Sequence, residues 1–82
     1  GYIIDSLGWV YFKKGNYKKA VKYLEKAVQY ASGDAIITEH LGDAYLKSNL
    51  NDKALKMYEQ ALAIEPDKHE LQQKIETLRG SE

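Results

Sequence analysis

The chain has 82 residues, with no cysteine, one proline (Pro66) and 12 basic against 12 acidic side chains. At that size a single core is only marginally self-sufficient, and without thiols neither a disulfide nor a thiolate–metal site can staple it. Balanced charge argues against a dedicated nucleic-acid binder, and no apolar run in the sequence approaches the roughly 18 residues of a membrane span.

The charges are unevenly spread. Residues 1–34 carry six lysines against three acids, and residues 35–82 carry six bases against nine acids. The sequence opens at Gly1 already in an amphipathic pattern, so a fragment of a longer protein is expected, and the compartment is unknown.

Taken in order, Ile3, Ile4, Leu7, Val10 and Tyr11 step by three and four and predict a helix over 2–14. Lys14-Gly15-Asn16 offers a left-handed stop followed by a cap, because glycine has no Cβ to clash and asparagine can accept from free helix amides. A second helix over 17–31 follows, with Ala20, Leu24, Ala27 and Val28 on one face. Ser32-Gly33-Asp34 breaks it, and Asp34 is placed to cap a helix over 35–48 carrying Ile37, Leu41, Ala44 and Tyr45. Ser48 to Asn51 turns the chain again with Asn49 in the glycine's role, a costlier choice. Ala54, Leu55, Tyr58, Ala61 and Leu62 then predict a helix over 51–64. After Pro66, Asp67 with Glu70 three residues on reads as a capping box for a fifth helix over 67–79.

Sliding the chain against itself by 34 residues aligns ten identities without a gap: Ile3/Ile37, Leu7/Leu41, Gly8/Gly42, Tyr11/Tyr45, Lys13/Lys47, Lys19/Lys53, Ala20/Ala54, Lys22/Lys56, Glu25/Glu59 and Ala27/Ala61. Such self-similarity is the signature of stacked supersecondary units. Gly8, Ala20, Gly42 and Ala54 fall where the helices of each hairpin should approach most closely, and a larger side chain there would cost roughly 1–3 kcal/mol in strain.

The pattern Leu7-Gly8-Tyr11-Ala20-Leu24-Ala27, repeated as Leu41-Gly42-Tyr45-Ala54-Tyr58-Ala61-Pro66, resembles the tetratricopeptide repeat. It resembles in particular the C-terminal part of a bacterial multi-repeat protein of that family. Ile4 and Thr38 stand where the family often has tryptophan, and Ser32 where it often has proline. The resemblance implies an all-α, right-handed α-solenoid of antiparallel helix hairpins with five helices. One unit would span 1–34, a second 35–68, and a capping helix with a tail 69–82, together one domain. Glu76 stands where a further unit would need a small residue, so the last helix reads as a cap.

In that architecture the first helix of each unit lines a concave groove. The resemblance therefore implies a protein–protein interaction module holding a peptide or protein segment there, and the alternative is a structural spacer in a larger scaffold. Groove positions of interest are Tyr2, Asp5, Trp9, Phe12, Glu39, His40, Asp43 and Lys74, an aromatic floor ringed by carboxylates that would suit a ligand of apolar and basic character. Some family members clamp a chaperone's terminal carboxylate with basic residues. The matching positions here are Asp5, Trp9, His40, Glu70 and Lys74, and their acids would repel such a tail.

Ile3 and Val10, with Tyr2 nearby, should form an apolar strip for an upstream repeat of the same chain, or for self-association of this piece. Lys13, Lys14, Lys18, Lys19, Lys22 and Lys26 cluster around the first hairpin and read as a solvated face. No nucleic-acid partner and no cofactor are expected. With only His40 and His69 and no cysteine, no metal set has convincing spacing and no positioned nucleophile is visible, so no catalytic residue is assigned.

Overall fold

The computed structural model describes residues 2–80, and the side chains of residue 4 and of residues 6–80. Five α-helices follow one another: α1 Tyr2–Lys13, α2 Tyr17–Tyr30, α3 Ala35–Lys47, α4 Asn51–Ile64 and α5 His69–Gly80. No strand occurs among the described residues. α1 packs on α2 and α3 on α4 as hairpins. α2 then packs on α3, and α4 on α5, so each helix meets mainly its neighbours in sequence.

The turns inside both hairpins are built alike. After α1, Gly15 adopts φ 82°, and the Asn16 amide reaches back to the Tyr11 carbonyl at 2.9 Å. After α3, Asn49 takes the same left-handed conformation with φ 63°, and the Leu50 amide reaches Tyr45 at 2.9 Å. Asn16 accepts from the Lys19 amide and caps α2, whereas Leu50 in the equivalent place gives α4 no side-chain cap. Asp34 caps α3 by accepting from the amides of Ile36 and Ile37.

The fifth helix corrects the sequence reading. It begins at His69 rather than Asp67, and the Lys68 carbonyl accepts from Leu71 and Gln72, so the Asp67–Glu70 capping box does not form. The reason is the 34-residue register: Lys68 occupies the position of Asp34, and α5 starts 34 residues after α3.

The close approaches fall at the glycines. A Cβ on Gly8 would stand 2.8 Å from Leu24 Cγ, and one on Gly42 would stand 2.7 Å from the Tyr58 ring. Ala20, Leu24, Ala27, Ala54, Tyr58 and Ala61 are fully buried around them. α5 offers α4 the same three register positions that α3 offers α2: Leu71 for Ile37, Ile75 for Leu41 and Leu78 for Ala44, all buried. Its Glu76 is exposed, on the register position of Gly42.

At the other end the faces differ. Leu41 and Ala44 are buried against the preceding hairpin, while Leu7 and Val10 at the matching places of α1 are 40% and 48% exposed. The side chains of Tyr2 and Ile3, also expected on that strip, lie outside the described residues.

Candidate functional site

Of the eight residues expected in the groove, Tyr2 and Asp5 have side chains outside the described residues. The other six fall into two clusters on adjoining helix junctions. Trp9 projects from α1 toward α3 and stacks on His40, with ring centroids 4.0 Å apart and planes within 16°. Its other neighbour is Phe12, one helical turn on, at 4.5 Å and 4°. Tyr17, at the start of α2, meets Phe12 edge-on at 5.4 Å. Four rings thus fill the junction between α1 and α3, all half-buried. Offset and edge-to-face ring pairs of this kind contribute about 0.5–1.5 kcal/mol each beyond area burial.

Glu39, Asp43 and Lys74 form the second cluster, between α3 and α5. Lys74 Nζ donates to Glu39 Oε2 at 2.7 Å and to Asp43 Oδ1 at 3.0 Å, while Lys68 reaches Glu39 Oε1 at 3.3 Å. Tyr58 of α4 donates its hydroxyl to Asp43, and Lys74 also lies over the Tyr58 ring at 5.3 Å. Two carboxylates and two ammonium groups cancel, so Glu39, only 8% exposed, and Asp43 are committed to holding α5 in place.

The ionisation states follow from this packing. Burial pushes the Glu39 carboxyl up, but hydrogen bonds and charge from Lys74 and Lys68 outweigh it and leave the group below its ordinary 4.5. Burial pulls Lys74 down, and its bonds to Glu39 and Asp43 reverse that, leaving it above its ordinary 10.5. The Tyr58 hydroxyl is raised well above 10.0, first by burial and then by its bond to the Asp43 carboxylate.

The two junctions are the same place in successive repeats. A shift of 34 carries Trp9 to Asp43, Phe12 to Leu46, Tyr17 to Asn51 and His40 to Lys74. The aromatic stack of the first junction is thereby replaced by an ion pair in the second. The residues that replace Phe12 and Tyr17 are smaller, and the space the rings would occupy is open: a pocket lined by Leu46, Asn51, Glu70, Gln73, Lys74, Thr77 and Leu78, mostly apolar in its surface.

The sequence reading did not assign Tyr17, Tyr58 or Lys68 a place in this region. Tyr17 could have been found by aligning the helix starts, and Lys68 through its equivalence to Asp34. The Tyr58–Asp43 tie crosses a hairpin and leaves no periodic trace. Among the described residues no group of His, Asp and Glu is arranged to hold a metal ion, and no helix is long and apolar enough to cross a membrane.

A family model described as a tetratricopeptide repeat matches residues 11–77, most of the chain. A search of curated proteins finds no match.

Proposed function

The chain belongs to the tetratricopeptide repeat family, a non-enzymatic repeat module that mediates protein–protein interaction or scaffolding, and we propose that this member holds a segment of a partner protein in its concave groove. The observation that carries the reading is the unequal filling of the two junctions. Trp9, Phe12 and His40 form a preorganised aromatic platform, and directly beyond it the pocket between α3 and α5 stands open at a position where the chain's own rings sit one repeat earlier.

A partner segment running along the groove places an apolar or aromatic side chain in that pocket, against Leu46 and Leu78. Lys74, fixed by Glu39 and Asp43, and the exposed Glu70 at the rim orient its polar neighbours. Rigid aromatic surface of this kind gives contact area at low entropic cost. The exposed Leu7 and Val10 face is the place for a further repeat, or a second copy, to pack as α2 packs on α3.

The test is peptide display on the immobilised chain, followed by amide-shift mapping of the peptides recovered. The reading expects an aromatic or large aliphatic residue at one fixed position, with shifts at Leu46, Gln73, Thr77 and Leu78. Thr77→Arg, which fills the pocket from an exposed position, should abolish that binding. Recovered peptides that bind Thr77→Arg as well as the parent, or no enrichment at all, would overturn it and favour a spacer role.

A further inference from the structure

The outer face of α2 carries a different arrangement. Lys18, Lys22 and Lys26 recur at every fourth residue of the helix, so they lie in one row, about 12 Å long at 1.5 Å per residue. All three are exposed, and none takes part in an ion pair among the described residues.

The row is costly. Like charges four apart on a helix repel, and α2 has no acid in its first turn to offset the positive end of its dipole. The second repeat shows the inexpensive solution at the same register positions: Asp52, Lys56 and Gln60, with Asp52 in the first turn of α4. One fold element, used twice, therefore concentrates uncompensated positive charge in only one copy.

Beside the row lies an apolar slot. Val21 and Leu50 form its floor, with Lys18 and Ser48 at its edges, and it continues into a depression bounded by Lys19, Lys22 and Glu25. Leu50 is a large apolar side chain left exposed at the tip of the α3–α4 turn. Glu25, the single carboxylate there, accepts the Tyr45 hydroxyl, and Lys53 lies over that same tyrosine ring. Three ammonium groups thus face one carboxylate around an apolar floor.

We infer that the Lys18–Lys22–Lys26 row and the Val21–Leu50 slot form a second docking surface, outside the concave groove, for an acidic segment of a partner protein that carries an apolar side chain. Carboxylates about 6 Å apart along one face of the segment meet successive lysines, and the apolar side chain enters the slot. The row is one helix wide, and the apolar slot beside it shares Lys18 as an edge. A protein segment with carboxylates at helical spacing and one apolar side chain matches the charge of the row and the slot together.

The probe is a fluorescein-labelled helical peptide of about 15 residues with Glu at i, i+4 spacing and Leu on the adjoining face, titrated with the 82-residue chain by anisotropy. Binding at low salt should weaken roughly tenfold or more at about 0.3 M salt, since exposed charge pairs are screened. Lys18→Gln with Lys22→Gln removes two row charges and also relieves repulsion within α2, so the variant should melt no lower than the parent while binding roughly tenfold more weakly. Leu50→Ser should weaken the leucine-bearing peptide and leave an all-glutamate control unchanged. Parent-like binding by the Lys→Gln pair, equal binding of the all-glutamate control, or tighter binding to phosphatidylserine vesicles or a single-stranded oligonucleotide than to the peptide would each overturn the inference.

Discussion

Replacing Gly42 by alanine tests the packing logic most directly, because the helix-forming preference and the tertiary contact oppose each other. In an isolated helix Gly→Ala is stabilising by about 1 kcal/mol. Here the new Cβ would stand 2.7 Å from Tyr58 Cε1, 2.8 Å from Cδ1 and 3.2 Å from Cζ. The ring is fully buried and its hydroxyl is tied to Asp43, which Lys74 holds in turn, so it cannot swing aside without breaking that bond. Strain in the middle of the overpacking range, about 2 kcal/mol, adds to a weakened hydrogen bond to a charged acceptor, worth roughly 1.5 kcal/mol. After subtracting the propensity gain, Gly42→Ala should destabilise the fold by roughly 2–3 kcal/mol. With a urea m-value near 1 kcal/mol/M for a chain this small, the midpoint followed by circular dichroism should fall by about 2–3 M. Gly33→Ala is the control: nothing lies within 4 Å of its added Cβ, so the midpoint should hold or rise slightly. If Gly42→Ala raised the midpoint alongside Gly33→Ala, the close approach would not be limiting and the reasoning would fail.

The buried ties should rank by the exposure of their acceptors. Tyr58→Phe should lose about 1.5 kcal/mol because its bond to Asp43 is inside the α3–α4–α5 cluster, while Tyr45→Phe, whose partner Glu25 is exposed, should lose under about 1 kcal/mol; equal losses by urea titration would contradict the ranking. Stability should also vary with pH on both sides of neutrality. Glu39 lies below its ordinary 4.5 when folded, so its contribution is complete above that value and is lost as pH falls through the folded one. Lys74 and Tyr58 lie above their ordinary 10.5 and 10.0, so their contributions persist below those values and vanish as pH rises further. Melting temperatures should therefore be level from about pH 5 to 10 and fall outside it, and Lys74→Met should blunt both shoulders. Asn49→Ala forces a Cβ-bearing residue without a helpful side chain into φ 63°, and should cost roughly 1 kcal/mol where Asn49→Gly does not.

The helices and their order were legible because three signals agreed: apolar spacing, turn residues and the 34-residue identity pattern. The start of α5 was misplaced because local chemistry was read over register. Asp67 and Glu70 have the composition of a capping box, but the helix takes its phase from packing Leu71, Ile75 and Leu78 on α4, and that phase puts Lys68 at the cap. The contacts of the candidate site were legible only in part. Trp9, Phe12 and His40 do meet, as one-turn spacing and the expected junction require. Glu39 and Asp43 look like solvent-facing acids in sequence, since nothing in their periodicity shows that Lys68, Lys74 and Tyr58 converge on them from two later helices.

That convergence explains why two units of one fold need not do the same work. At the first junction, stacked rings join α1 to α3, through dispersion and ring electrostatics that salt barely alters. At the second, the same positions hold a compensated ion network, and short side chains at Leu46 and Asn51 leave volume unfilled beside it. A half-buried ion network gains little net stability over a packed apolar junction, because desolvation offsets most of its Coulomb energy. Substituting rings at Asp43, Leu46, Asn51 and Lys74 would copy a solution already present 34 residues earlier. The second junction departs from that solution and leaves space open, which is the arrangement expected where a groove must take in a side chain from outside.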